Sequence, residues 1–343
     1  MRILITGGAG FVGCNAASHL VRRGAEVTVF DNFCRSGSRQ NLEWIRETGK
    51  VGVVEGDVRD EDAVRAVVAG TRPDVVLHLA GQVAVTTSVA DPRLDFQVNA
   101  LGTLNVLEAL REARSEALLI YTSTNKVYGD LAHRRVIDTG ARYAFAETAA
   151  GVDESTPLDF HSPYGCSKGA ADQYVRDYSR IYGLRTVVLR MSCIYGPRQF
   201  GVEDQGWVAW FVIAAVLGER LTVYGDGKQV RDVLFVDDLM RLFQRLIERP
   251  GAASGEVFNV GGGPHNQLGV VELIGMLSEL GGRPIPYDRA PWRPGDQRVY
   301  VSDVGKVAQT TGWAPEVSPT DGIKRLHEWV REHVGVLAAW RAC

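Results

Sequence analysis

The chain has 343 residues, 45% of them hydrophobic and 23% charged. That length suits two packed subdomains or one large α/β unit, and the composition excludes disorder as the main theme. The net charge is −3, from 38 basic and 41 acidic residues well mixed along the chain, so no basic field exists to hold a nucleic-acid backbone or an anionic membrane. Glycine is the outlier: 38 residues, against about 7% in typical proteins, many in short clusters beside apolar runs. That distribution points to close approaches between backbone and ligand. The five cysteines are Cys14, Cys34, Cys166, Cys193 and Cys343. They are odd in number, widely spaced and lack a C-x-x-C, so a disulfide framework, a structural zinc or any other metal site is not expected, and a cytoplasmic location is. The first residues form a strand-like run rather than a signal peptide. The longest charge-free apolar stretch, Gly206 to Gly218, is too short to span a bilayer.

In chain order, strands are predicted at Arg2–Thr6, Glu26–Phe30, Val51–Glu55, Val75–Leu79, Leu118–Thr122 and Thr186–Arg190. Helical patterns lie between them at Phe11–Arg23, Asp60–Ala69, Asp95–Arg114 and Pro163–Tyr182. The strands read as continuous apolar runs, which predicts an α/β fold: a Rossmann-type, doubly wound parallel sheet covered on both faces. Such sheets bind ligands at the carboxyl ends of their strands. The long segment between Gly129 and Tyr164 reads as a lid or insertion. After Arg190 the pattern loosens. Helices are predicted at Gln205–Leu217, Asp237–Glu248, Val270–Leu280 and Asp321–Val330, and strands at Leu221–Tyr224, Val230–Val236 and Glu256–Val260. Pro284 to Pro294 reads as a loop. This half is expected to form a smaller α/β lobe, with some segments returning to the first sheet.

The opening carries glycines at 7, 10 and 13, directly after a strand and at a helix start. Gly7 permits the turn, Gly10 admits a pyrophosphate, and Gly13 allows close helix–strand packing. The helix N-terminus at Phe11 and Val12 supplies free N–H groups for phosphates. Asp31 closes the second strand, followed by Asn32. A carboxylate there accepts bonds from ribose hydroxyls and repels a 2′-phosphate, so NAD is expected rather than NADP. Asp57-Val58 and Leu79-Ala80-Gly81 end the next strands and would line the same crevice. A plain strand-end cap is the lesser alternative for Asp57. His78, inside an apolar strand, reads as a core histidine.

Tyr164 and Lys168 form a Tyr-x-x-x-Lys pair on one helix face, about 6 Å apart along the axis. A phenol is a poor base at neutral pH, and a nearby ammonium is expected to lower its pKa. Lys168 would also hold the nicotinamide ribose. Thr124 ends the fifth strand at the ligand edge and is expected to share a substrate proton with Tyr164. Cys166 has no adjacent base and reads as packing.

Gly7–Gly13, Asp31, Thr122–Gly129 (TSTNKVYG), Tyr164/Lys168 and Tyr195–Gln199 (YGPRQ) together resemble the extended short-chain dehydrogenase/reductase family, in its branch of nucleotide-sugar epimerases and dehydratases. Ser123–Asp130, Asp153–Tyr174 and Asp204–Trp207 are similar to the subgroup that interconverts CDP-paratose and CDP-tyvelose at C2. The resemblance implies an NAD-binding Rossmann domain over residues 1–188, with a returning segment at about 230–260. Residues 189–229 and 261–343 would bind a nucleoside-diphosphate sugar. It implies Thr124, Tyr164 and Lys168 as catalytic residues, and adds Asn99 and Thr122 at the cofactor. Arg231 and Arg293, with Asp296 beside the latter, would form the phosphate clamp; salt-bridged surface arginines are the alternative. Gln199, Phe200, Gln205 and Trp207 would approach base and diphosphate, although Trp207 on an apolar helix equally suits the core. Gln82, Ser88, Asn125, Lys126, His161 and Ser192 would face the sugar.

Sugar 4,6-dehydratases of this family carry Asp-Glu after the catalytic hydroxyl residue; Asn125-Lys126 stands here instead, which argues against dehydration. Ser192-Cys193 stands where many 4-epimerases have an Asn nearby. The expected function is an NAD-dependent 2-epimerase of CDP-sugars. The alternatives are a UDP-hexose or UDP-hexuronate 4-epimerase, a dehydratase, or an NAD-bound regulatory protein. A homodimer or homotetramer is expected, with the helices Asp95–Arg114 and Pro163–Tyr182 at the interface common in the family.

Overall fold

Seven parallel strands form the main sheet of the computed structural model, which describes residues 1–147, 150–293 and 296–341. They are β1 (Arg2–Thr6), β2 (Glu26–Asp31), β3 (Gly52–Glu55), β4 (Val75–His78), β5 (Leu118–Thr124), β6 (Arg185–Met191) and β7 (Val257–Val260). Their spatial order is β7-β6-β5-β4-β1-β2-β3. The order reverses between β1 and β4, the crevice where such sheets take ligands. Alternate residues enter two cores. Ile3, Ile5, Leu77 and Ile120 pack under the helices Phe11–Val21 and Val236–Glu248. Leu4, Val76, Leu119 and Tyr121 pack under Glu61–Thr71, Gly102–Glu112 and Ser162–Tyr182. Only the edge strand β3 is largely exposed.

The predicted helix over Asp95–Arg114 is instead a helix Pro92–Phe96, a π-turn Gln97–Leu101 and a helix Gly102–Glu112. The π-turn carries Asn99, whose amide ties three segments together (below). Two further corrections concern the chain after β6. Val230–Phe235 does not return to the main sheet. It pairs with Cys193–Tyr195, Gln267–Gly269 and Val299–Tyr300 in a separate four-stranded sheet. The segment that returns is the helix Val236–Glu248 and β7. Second, the stretch read as the loop Pro284–Pro294 contains a strand, Tyr287–Ala290, paired with Leu221–Tyr224. Pro294 itself lies outside the described residues, as do Gly295 and Cys343.

The core of this second region is the helix Trp207–Leu217, buried from Val208 through Ala215, with the helices Val270–Gly281, Pro319–Glu332 and Val334–Arg341 against it. The 129–164 segment is a bridge. Its hairpin, Val136–Asp138 and Tyr143–Phe145, docks on the second region. Tyr143 Oη donates to Asp226 at 2.5 Å, Lys228 Nζ to Asp138 at 2.8 Å, and Arg142 pairs with Glu272 at 2.8 Å. The segment that follows β5 is thereby tied to this second region.

Candidate active site

The glycine turn has the shape that the sequence implies. Gly7 adopts φ +67°, and a Cβ there would lie 2.6 Å from Ala80 N and 2.9 Å from Leu79 C. Leu79 and Ala80 therefore abut the turn. A Cβ on Gly13 would lie 2.2 Å from Gly7 O. Gly10 differs: its Cβ would meet only Gly7 O, at 3.2 Å, so this side is open. The helix beginning at Phe11 has no side-chain cap and no acid in its first turn, and helix geometry leaves the N–H groups of Phe11, Val12 and Gly13 without intrahelical acceptors. Asp31 is buried, which pushes its pKa up, and its oxygens accept from Ala9 N at 2.9 Å and Phe33 N at 2.8 Å. Each oxygen keeps a lone pair for a ligand hydroxyl. An open, uncapped helix end with a held carboxylate beside it fits a dinucleotide.

Other expected cofactor contacts have structural duties. Burial raises the Asp57 pKa, but the bonds from Arg59 and Asn32 outweigh it and hold it at about 2. Both Asn32 and Asp57 thus brace the ends of β2 and β3, the cap reading. The Val58 side chain lies in the core, and its carbonyl accepts from Asn105 at 2.9 Å. Asn99 is also not free: its Oδ1 accepts from Gln82 N, and its Nδ2 faces Gln82 O, Asp95 Oδ1 and Ser167 Oγ within 3.1 Å. It positions Gly81, whose Cβ would stand 3.9 Å from Lys168 Nζ. His78 is a core residue, as expected. It bonds Thr6 at 2.7 Å and Thr103 at 3.0 Å, and burial takes its pKa down to about 3.

Thr124, Tyr164 and Lys168 come together where β5 ends against the helix Ser162–Tyr182. Pro163 in that helix's first turn and the left-handed Gly183 after its end set its limits. Lys168 is buried, and its one hydrogen-bond acceptor among the described residues is Thr122 O at 2.6 Å. The ammonium also lies 4.3 Å from the Tyr121 ring centroid. Burial lowers its pKa to about 7, against the pull of Asp172 and Asp95. An ammonium has three donors, so two remain for ribose hydroxyls. Thr122 thus acts by holding Lys168.

The structure does not bear out the expectation that Lys168 lowers the Tyr164 pKa. Burial raises that phenol to about 12, opposed only by its hydrogen bond with Thr124. Two neighbours were not foreseen. Asp95 is fully buried, accepts from Ser167 Oγ at 2.5 Å and Gln82 Nε2 at 2.8 Å, and acts electrostatically on both Lys168 and Tyr164. Asp172, one turn past Lys168, forms a buried bidentate pair with Arg190, both bonds 2.9 Å, and accepts from Ser123 Oγ. An acid on the apolar face of a helix, and an arginine inside a strand, are the signals that mark both.

Of the residues expected at the sugar, several are otherwise engaged. Ser88 is fully buried and donates to Val85 O. Ser192 donates to Asp232 Oδ1 at 2.5 Å. Gln82 folds back on Ala84 and Asp95. His161 is exposed and pairs with Asp159 at 3.0 Å, in an exposed group with Asp130. Cys166 is exposed rather than packed. The glycines at 261 to 263 enclose Asp232: a Cβ on Gly261 would lie 2.0 Å from its carboxylate, and Gly263 N donates to it.

Asn125, Lys126 and Arg231 remain. Asn125 is buried beside Thr124. Lys126 is half-buried, and Arg231, Asp296 and Cys193 act on its charge. Arg231 donates to Asp296 at 2.6 Å. Trp207 Nε1 faces Cys193 Sγ at 3.4 Å. The Oε1 atoms of Gln199 and Gln205 are buried without partners, as acceptors awaiting a ligand would be. Arg293 is set apart, half-buried on the Tyr224 ring and paired with Asp204 at 3.0 Å.

A family model described as GDP-mannose 4,6 dehydratase matches residues 4–326. A CDP-paratose 2-epimerase of Salmonella typhi is 46% identical over 334 residues, covering 96% of this chain and 99% of that protein. Among solved structures, a UDP-glucose 4-epimerase from Thermotoga maritima with UDP-glucose superposes with a TM-score of 0.85 at 33% identity, covering 97% of this chain and 100% of that one. A dTDP-glucose 4,6-dehydratase from Streptomyces venezuelae with NAD bound gives 0.85 at 30% identity, covering 99% and 100%.

Proposed function

The chain belongs to the GDP-mannose 4,6-dehydratase family of extended short-chain dehydrogenases, NAD-dependent enzymes, and we propose that it inverts C2 of a CDP-linked sugar of the paratose/tyvelose type. The observation that carries this reading is the near-full-length likeness to CDP-paratose 2-epimerase. The site agrees with it: the strand after Thr124 runs into Asn125 and Lys126, with no carboxylic acid there to protonate a leaving hydroxyl.

Bound NAD would supply a hydride acceptor that becomes the hydride donor. Tyr164 takes the C2 hydroxyl proton, and Thr124 donates a hydrogen bond to the same oxygen. Lys168 holds the ribose with its two free donors. Burial of all three excludes water. After the keto sugar presents its other face, Tyr164 returns the proton. Inversion needs room for the sugar to turn, while Arg231, Arg293, Gln199 and Gln205 hold the nucleotide still.

The site draws on both lobes: residues of the main sheet bind NAD, and the second region binds the nucleotide sugar. The protein works in the cytoplasm, in line with the four free cysteines among the described residues. Among those residues no helix is long and apolar enough to cross a membrane. It assembles as a homodimer or homotetramer through the Pro92–Glu112 rod and the helix Ser162–Tyr182, which leave Phe96, Tyr174, Ile181 and Tyr182 exposed.

The test is NMR of products from a panel of CDP-, UDP-, dTDP- and GDP-sugars. Inversion at C2 of CDP-paratose is expected, and Tyr164→Phe should abolish it while retaining NAD. Inversion at C4 of a UDP-sugar instead would replace this reading with the 4-epimerase one.

A further inference from the structure

Lys126 carries a charge that nothing in the protein answers. Its backbone is fixed in the turn Asn125–Tyr128: its N–H donates to Thr124 Oγ1 at 3.2 Å, and its carbonyl accepts from Gly129 N at 3.2 Å. Its ammonium has no hydrogen-bond or ion-pair partner among the described residues. The groups that act on it are Arg231, Asp296 and Cys193. Asp296 is already bound to Arg231. Cys193 is a thiol whose pKa burial has raised, so it is neutral. Two cations thus share one carboxylate, a local excess of one positive charge. Burial and Arg231 bring the Lys126 pKa down to about 8. A half-buried ammonium without an acceptor is costly, and an anionic ligand would complete it.

We propose that Lys126 grips a non-bridging oxygen of the phosphate joined to the sugar. This rests on the nucleotide-sugar reading. Lys126 and Thr124 stand two residues apart in one turn. The phosphate joined to the sugar is the one nearest the reacting ring, so it is the one that a lysine beside Thr124 suits. Arg231, whose charge acts on Lys126, is left for the remaining phosphate oxygens.

The experiment titrates CDP into the NAD-loaded enzyme by calorimetry from pH 6.5 to 9.5. A neutral lysine cannot grip phosphate, so wild-type affinity is expected to fall as pH rises through about 8. Lys126→Met should bind CDP about 10- to 100-fold more weakly at pH 7, with that fall gone. Lys126→Arg, charged throughout the range, should keep the affinity and also lack the fall. Unchanged NAD content in both variants shows that they are folded. A Lys126→Met protein with wild-type CDP affinity and pH dependence overturns the proposal. Wild-type enzyme that binds CDP as described yet inverts no nucleotide sugar overturns the epimerase reading alone. Binding of neither CDP nor UDP overturns both.

Discussion

Gly10 and Gly13 belong to one turn, yet alanine should act on them in different ways. At Gly13 the new Cβ would meet backbone on three sides: Gly7 O at 2.2 Å, Gly8 Cα at 2.6 Å and Gly8 C at 2.9 Å. Backbone cannot rotate away as a side chain can, so the helix or the turn must shift by about 1 Å. Overpacking of this kind costs about 1–3 kcal/mol. Gly13→Ala should therefore destabilise the NAD-free protein by that amount, and weaken NAD binding as the N–H groups move. At Gly10 the Cβ would meet only Gly7 O, at 3.2 Å, and φ is −69°, a value any residue adopts. Losing a glycine at an N-cap and stiffening the unfolded chain are small effects of opposite sign, so NAD-free stability should stay within about 0.5 kcal/mol. The methyl group would instead occupy space that a pyrophosphate needs. A clash of about 1–3 kcal/mol there corresponds to an NAD affinity lower by roughly 5- to 150-fold. Denaturant unfolding of NAD-stripped protein and NAD titration separate the two. A Gly13→Ala protein as stable as wild type, or a Gly10→Ala protein that binds NAD undiminished, would refute this account of the turn.

Lys168→Met should lower turnover by roughly 10²- to 10⁴-fold, yet leave the NAD-free protein as stable or more so. The folded Lys168 pKa, about 7, is below the ordinary lysine value, so its destabilising contribution is full below pH 7 and fades as pH rises toward 10.5. The stability gap between variant and wild type should close over that window; a gap that widens with pH would contradict the assignment. Asp172→Asn would leave the Arg190 guanidinium buried and uncompensated, and should cost about 3–5 kcal/mol in denaturant unfolding. A loss under 1 kcal/mol would mean that water reaches Arg190.

The parallel sheet and its glycine turn were legible because they rest on local signals. Continuous apolar runs at β1, β4 and β5 and glycines at fixed spacing need no knowledge of distant contacts. The meeting of Thr124, Tyr164 and Lys168 was legible for the same reason: Tyr164 and Lys168 share a helix face, and Thr124 ends a strand. What escaped depends on contacts across the chain. Ser88 and Ser192 carry hydroxyls that suit a sugar, but each is claimed by a protein acceptor. Asn99 sits in a π-turn, and its three side-chain partners, Gln82, Asp95 and Ser167, come from a loop and two helices. Val230–Phe235 has the composition of a main-sheet strand, and only its pairing with Cys193–Tyr195 sends it elsewhere. The Tyr164 pKa also depends on tertiary burial, which raises it against the hydrogen bond with Thr124.

The central claim is that C2 is inverted by transient oxidation on Tyr164, Thr124 and Lys168, with the same hydrogen removed and returned. Incubation of the NAD-loaded enzyme with CDP-paratose in deuterium oxide, followed by NMR of the sugar, tests it most directly. The account predicts CDP-tyvelose that retains protium at C2, because the hydrogen never exchanges with solvent. Deuterium at C2 would instead mean removal as a proton and contradict the mechanism, and no inversion would contradict the function.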